Sequence, residues 1–312
     1  MDDLIRAGLT SSPKWLPAAL LYDDLGSALF EAITFLPEYE VSRAGIRLLE
    51  AHADAVVAGA AGGDAELELV ELGPGAGRKA QILVEALQRR QREVHFVGVD
   101  VSPQALADCR RTLERFPGVA FEGITGLYLE GLAAARASHR TGTRRLVLFL
   151  GSNLSNFARA DAQEFLHGLR AQVDVGDRLL LGVDLDKDPA RLLPAYDDAL
   201  GVTAAFDKNL LVRLNRDWGA DFPLANFDHE ARYDAAERRI EMHLRARRAC
   251  HVTIGKLDLC VAFAAGESIW TESSHRFAVD ELRAWGAAAG FRVAAQWLDG
   301  AWPFAQTLYE VV

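Results

Sequence analysis

Leu69-Val70-Glu71-Leu72-Gly73-Pro74-Gly75-Ala76-Gly77-Arg78-Lys79 joins an apolar strand to a glycine-spaced turn and then to the start of a helix. Glycines at alternate positions let the backbone turn sharply and approach a ligand where any Cβ would intrude, and acidic Glu71 stands just before them. Further on, His95-Phe96-Val97-Gly98-Val99-Asp100 reads as a second buried strand that ends in a carboxylate. A glycine loop followed by an acid at the next strand end is a nucleotide-type cofactor site, the acid being placed to take two ribose hydroxyls.

That pairing admits a nicotinamide dinucleotide or S-adenosylmethionine. A dinucleotide calls for G-x-G-x-x-G with its pyrophosphate on the helix N-terminus. Here the glycines run G-x-G-x-G, and Arg78 occupies the place of the third. The spacing favours S-adenosylmethionine over the dinucleotide, and a tight turn with no ligand is the alternative reading.

The chain has 312 residues, enough for one large or two modest domains. Its hydrophobic content of 50% and charged content of 25% are those of a soluble globular protein. A net charge of −10 offers no footprint for a polyanion, and the basic runs Arg89-Arg90-Gln91-Arg92 and Arg245-Ala246-Arg247-Arg248 are short and read as solvated faces. Nucleic acid is therefore excluded as a partner. Cys109, Cys250 and Cys260 are odd in number and lack paired spacing, which fits a reduced, cytoplasmic setting. Scattered histidines with no H-E-x-x-H give no metal site. Neither a signal peptide nor a membrane-spanning run is legible, and a monomer is the expected state.

From residue 67 to about 188, strands alternate with helical patterns, the strands being Leu67 to Leu72, Val94 to Val99, Val119 to Ile124, Leu146 to Leu150 and Leu179 to Val183. The clearest helix, Ala160 to Val173, sets Ala162, Phe165, Leu166, Leu169 and Val173 on one face. Such βαβ alternation predicts an α/β fold with a parallel sheet and helices on both sides. After Asp188-Pro189 the pattern changes: a helix-like Ala190 to Leu200, a mixed region, then alternating strands at Ile240 to Leu244 and Leu257 to Phe263. An amphipathic helix from Phe277 to Gly290 precedes two closing strands, Val293 to Trp297 and Phe304 to Val311, expected at an antiparallel edge of the same sheet. The reading is a cofactor domain of residues 61–188 plus 277–312, and an inserted α+β substrate domain of residues 189–276 joined by the mostly helical 1–60.

Ligands of open α/β sheets bind beyond the carboxyl ends of the strands. The fourth strand is followed by Gly151-Ser152-Asn153-Leu154-Ser155-Asn156-Phe157, rich in small and amide side chains, where a substrate would meet the cofactor or a helix would be capped. In Thr271-Glu272-Ser273-Ser274, period two puts Glu272 and Ser274 on one face, a carboxylate and a hydroxyl able to hold imidazole or an amine. Tyr22-Asp23-Asp24 and Leu36-Pro37-Glu38-Tyr39 offer aromatics for a lid or an amine cage. Tyr196 and Met242, taken singly, read as packing residues.

Together these segments resemble the histidine-specific N-alpha-methyltransferases of ergothioneine biosynthesis over nearly the whole chain. The resemblance runs through Tyr22-Asp23-Asp24-Leu25-Gly26-Ser27, Leu36-Pro37-Glu38-Tyr39, Glu71 to Gly75, Asp100-Val101-Ser102, Gly151 to Phe157, Lys187 to Leu192, Tyr196 to Phe206, Leu214-Asn215-Arg216, Ala220-Asp221-Phe222, Ile240-Glu241-Met242 and Thr271 to Ser274. It implies a Rossmann-like class I methyltransferase sheet with an added substrate domain. Carried over by motif, Tyr39, Asn156 and Tyr196 would hold the amino and carboxylate groups of an amino acid, and Glu272 and Ser274 its imidazole. Phe30, Gly151, Thr203 and Met242 would shape the pocket, with Tyr22 and Tyr39 beside the reacting amine. Gly73, Gly75, Lys79 and Asp100 would serve the cofactor, as would Leu127 and Tyr128, which stand in Gly126-Leu127-Tyr128 where the family usually has Gly-Asp-Phe. Gly77-Arg78 replaces a common Ser-Glu pair, and Ser155 a usual glycine.

The expected activity is methyl transfer from S-adenosylmethionine to the α-amino nitrogen of L-histidine, giving trimethylhistidine. Another imidazole or aromatic amino acid, or a ring nitrogen, is the alternative acceptor, and a non-catalytic binding protein on the same fold is the alternative class.

Overall fold

The computed structural model describes residues 1–312 and resolves into two compact units. The larger comprises Glu40–Asp186 with Arg276–Val312, the smaller Met1–Tyr39 with Lys187–His275.

The larger unit is built on a seven-stranded sheet in the order Phe291–Asp299, Phe304–Val311, Arg178–Asp184, Arg144–Phe149, Leu67–Leu72, Val94–Asp100, Val119–Thr125. The last five are mutually parallel; Phe304–Val311 runs antiparallel to Arg178–Asp184 and pairs in turn with Phe291–Asp299. The antiparallel edge therefore stands where the sequence placed it. Because helices cover both faces, alternate residues of each central strand enter different cores. Val70, Leu72, Val147 and Phe149 pack with Leu132, Phe165, Leu166 and Leu169 on one side. Leu67, Leu69, Leu146 and Leu148 pack with Leu83, Leu87, Val56 and Val57 on the other. The chain order reverses between Leu67–Leu72 and Arg144–Phe149, so the loops after these two strands border the crevice such sheets use for ligands.

The helix Glu40–Ala61 was expected with the substrate domain, yet it belongs to the larger unit. Leu49, Ala53, Val56, Val57 and Ala60 form a stripe at helical spacing that is buried in the same core as Leu67 and Leu69.

The smaller unit carries a four-stranded sheet in the order Lys14–Trp15, Ser268–His275, Arg239–Ala246, Phe227–Asp234, with a separate hairpin of Cys250–Ile254 and Leu259–Phe263. The helix Val202–Trp218 is bounded by Gly201 and Gly219, both left-handed (φ 74° and 61°). The helix expected over Ala190 to Leu200 covers only Pro189–Leu192, and a 3-10 turn over Leu193–Ala195 follows, because Pro194 has no N–H to continue it. Leu257 likewise ends a 3-10 turn instead of opening a strand. No helix is long and apolar enough to cross a membrane.

Candidate active site

The first constellation lies at the carboxyl end of the parallel strands. Gly73, Gly75 and Gly77 all have positive φ (73°, 54° and 78°), a region that L side chains enter at a cost of roughly 1–2 kcal/mol. Gly73 donates its N–H to the Val99 carbonyl at 2.8 Å, which ties the loop to the neighbouring strand. A Cβ on Gly73 would sit 2.8 Å from Asn153 Nδ2, and one on Gly77 2.9 Å from Cys109 Sγ; one on Gly75 would meet nothing within 4 Å. Gly75 thus lines open space and Gly77 a packed floor. We expect Gly77→Ala to lower Tm by about 3–8 °C in a thermal melt, from left-handed strain plus the sulfur contact. Gly75→Ala should cost less stability and more cofactor affinity, a contrast that calorimetry reads directly.

Asp100 closes its strand, and its Oδ1 accepts the Ser102 N–H at 2.9 Å. Burial raises its carboxyl above the usual range, against the backbone N–H groups of Ser102, Gly75 and Val101, which lower it. Glu71 is only 2% exposed, and its Oε2 has no hydrogen-bond partner. Burial pushes it up to about 8; the Lys79 charge opposes that rise and the Asp100 charge adds to it. Lys79 stands in the first turn of the helix Arg78–Gln88, and a Cβ on Gly151 would sit 3.1 Å from its Nζ. A cradle without side chains, an orphaned buried carboxylate oxygen and a strand-end acid together fit a cationic nucleoside such as S-adenosylmethionine. Tyr128 meets Phe149 edge-to-face at 5.1 Å, whereas Leu127 just before it is 58% exposed. After the fourth strand, Ser152 Oγ accepts the Asp184 N–H at 2.8 Å and contacts Ser155 Oγ at 2.5 Å, and Asn156 is exposed.

The second constellation lies wholly in the smaller unit. Tyr22, Phe30, Phe206, Tyr39 and Tyr196 form one chain of rings, with centroids 5.5 Å (Tyr22–Phe206), 5.9 Å (Tyr22–Phe30), 6.2 Å (Phe30–Tyr39) and 6.3 Å (Tyr39–Tyr196) apart. Most of these contacts are edge-to-face, the favoured geometry for aromatic pairs. Tyr22 donates its O–H to Glu272 Oε1 at 3.1 Å, and the Tyr196 hydroxyl lies 2.8 Å from Ser274 Oγ. Each polar member of the Glu272/Ser274 pair is thereby gripped by a ring of the aromatic wall. Burial lifts the Glu272 carboxyl to about 7; the Tyr22 hydrogen bond holds it down and the Asp207 charge adds to the rise. Met242 is the register partner of Glu272, and its carbonyl accepts from the Thr271 hydroxyl at 3.0 Å. The Thr203 N–H donates to Asp198 at 2.7 Å, which with the Val202 N–H fastens the start of the Val202–Trp218 helix.

The structure thus brings Tyr22, Phe30, Tyr39, Tyr196, Glu272 and Ser274 into one group in the smaller unit, to which Met242 belongs by register. Gly73, Gly75, Lys79, Asp100, Tyr128, Gly151 and Asn156 belong to the larger unit, at strand ends or just beyond. Sequence reasoning missed Phe206, which stands in the helix Val202–Trp218. It also missed Asp207 and His229, which no local pattern connects. No group of three or more His, Cys, Asp or Glu side chains is arranged to hold a metal.

A family model described as "Histidine-specific methyltransferase, SAM-dependent" matches residues 1–311. Histidine N-alpha-methyltransferase of Mycolicibacterium smegmatis is 43% identical over 305 residues, covering 97% of this chain and 92% of that protein. The Mycobacterium tuberculosis protein of the same name is 42% identical over the same shares. A crystal structure from Thermobifida fusca ascribed to a methyltransferase superposes with a TM-score of 0.51 at 12% identity, covering 97% of each chain, and so shares the fold.

Proposed function

The chain belongs to the family of histidine-specific, S-adenosylmethionine-dependent methyltransferases, and from that premise we infer that it methylates the α-amino group of L-histidine through to trimethylhistidine. The observation that carries the substrate reading is the pairing of Glu272 with Tyr22 and of Ser274 with Tyr196 beneath one aromatic wall. A carboxylate accepts one imidazole N–H, and a serine that accepts from Tyr196 keeps its own proton to donate to the other ring nitrogen. No such arrangement serves a phenyl ring.

When bound, S-adenosylmethionine supplies an electrophilic methyl group on a sulfonium centre. Asp100 would take the ribose hydroxyls, Gly73 and Gly75 admit the cofactor close to the backbone, and Glu71 and Lys79 address its charged end. Tyr128 would lie along the base, where exposed Leu127 offers only apolar contact. For the amino acid, Tyr39 and Tyr196 are assigned to the α-amino and carboxylate groups, with Phe30, Thr203 and Met242 shaping the pocket; Asn156 and Gly151, in the larger unit, are assigned to substrate by motif alone. Tyr22 spends its proton on Glu272, so the role of the rings towards the amine is electrostatic. As each methyl replaces an N–H, the nitrogen loses a hydrogen-bond donor and its final cation relies on ring faces, worth roughly 0.5–2 kcal/mol each. Cys109, Cys250 and Cys260 are free thiols, which accords with a reducing cytoplasm.

Mass spectrometry of a panel of amino acids incubated with the protein and S-adenosylmethionine tests the reading. Successive addition of one, two and three methyls to histidine is expected, and a preference for phenylalanine or tryptophan would overturn it. A second test follows from Glu71, which is largely protonated at pH 7 in the free protein. A cationic ligand favours its carboxylate, so cofactor binding should release protons at pH 7 and tighten as pH rises through about 8. Titration calorimetry in two buffers of different ionisation enthalpy reads this release, and proton uptake would contradict it.

A further inference from the structure

We propose that His229 is a fixed imidazolium which, bridging Asp207 and Tyr196, acts as a positioning residue for the imidazole pocket and cancels the buried Asp207 charge. His229 lies on the strand Phe227–Asp234 and Asp207 on the helix Val202–Trp218. Nδ1 is 2.7 Å from Asp207 Oδ2, and Nε2 is 2.7 Å from the Tyr196 carbonyl oxygen. The Tyr196 carbonyl only accepts, and an ionised Asp207 only accepts, so beside the Asp207 carboxylate both ring nitrogens carry hydrogen, which neutral imidazole cannot provide. The two side chains are almost wholly removed from solvent (1% and 0% exposed), and Asp207 Oδ1 has no hydrogen-bond partner. A carboxylate in that setting requires a cation beside it.

The charges around the pair point the same way. Burial lowers the His229 proton affinity, but the hydrogen bond and charge of Asp207, the Tyr196 carbonyl and the charge of Asp197 together carry it above the ordinary imidazole range. His243, on the next strand, is bonded to Glu241 at 2.9 Å and is pulled down by burial and Arg232, so it does not replace His229 as the counter-charge. Glu272 feels the Tyr22 hydroxyl and the Asp207 charge. One continuous series therefore runs from Asp207 through His229 and the Tyr196 backbone to the Tyr196 hydroxyl and Ser274. The same Asp207, if left uncompensated, would make Glu272 harder to ionise.

This inference rests on the reading of Glu272 and Ser274 as the imidazole grip, and two independent measurements separate it from that reading. Ring 15N NMR, with His229 assigned by its loss in His229→Gln, should show both nitrogens protonated at pH 7.5; in Asp207→Asn the amide donates to Nδ1 and the ring should turn neutral. A neutral His229 in the unaltered protein overturns the proposal whatever the kinetics. In the kcat/KM profile for histidine, His229→Gln should move the acidic limb up by about one pH unit, with KM rising more than kcat falls. Asp207→Asn/His229→Gln should return the limb to its original position or below, a rescue that a purely structural role would not give. A limb unmoved by His229→Gln, or a shift that persists in the double variant, also overturns it. If Glu272→Gln retains the acidic limb, the imidazole assignment fails instead, and the NMR result still decides the state of His229.

Discussion

Replacing Glu272 by alanine should cut kcat/KM for histidine on the order of 10²-fold while leaving the low activity on phenylalanine nearly as it was. A hydrogen bond to a charged group contributes about 1.5–3 kcal/mol, and the wrong ring never made that bond. A site built to pair with a substrate N–H discriminates because its own polar atoms are stranded otherwise. Equal losses on both amino acids would identify Glu272 as part of the strand's framework. The isosteric Glu272→Gln should do something further. Unfolded, this carboxyl deprotonates near its ordinary value, whereas in the folded protein it does so at about 7. Between those values the folded state holds the extra proton, so the glutamate's contribution to stability falls as pH rises through the window. Glu272→Gln should therefore be poorly active on histidine yet melt higher than the unaltered protein at pH 8, with the gap closing by pH 5. Differential scanning calorimetry at the two pH values checks the sign.

The second large effect is expected at Asp100. Loss of two charge-assisted bonds to ribose hydroxyls, at about 1.5–3 kcal/mol each, should weaken cofactor binding by roughly 10²–10⁴-fold in Asp100→Ala. Because Oδ1 also accepts the Ser102 N–H, the alanine variant loosens the start of the following helix as well. Asp100→Asn keeps that acceptor and isolates the ribose contribution, so it should fold normally and still bind poorly in calorimetry. Unchanged affinity in the asparagine variant would remove Asp100 from the cofactor site.

The parallel sheet was legible because its central strands are buried on both faces and are mostly apolar. The glycine loop was legible because only glycine tolerates three left-handed positions so close together. The helix Val202–Trp218 was not. Asp207 and Asn209 are turned inward there, which breaks the apolar stripe that marks a helix. The strand Phe227–Asp234 escaped for a related reason, since its Asp228, His229, Glu230 and Arg232 leave no alternation to read. Their interior partners are supplied by other elements, and local sequence carries no trace of them. Glu272 and Ser274 were found by period two, which survives because the irregularity in their strand falls between Trp270 and Glu272, before the pair.

The smaller unit is assembled from two stretches of chain, Met1–Tyr39 and Lys187–His275, and this limits how its specificity can be transplanted. Lys14 and Trp15 pair with Ile269 and Trp270 as the sheet's edge, and Tyr22 holds Glu272, so residues distant in the gene share one recognition element. A crossover that exchanged only the later stretch between two such enzymes would import a carboxylate without the phenol that restrains it. Recombination libraries intended to change the accepted amino acid should therefore swap both stretches as a single heritable block.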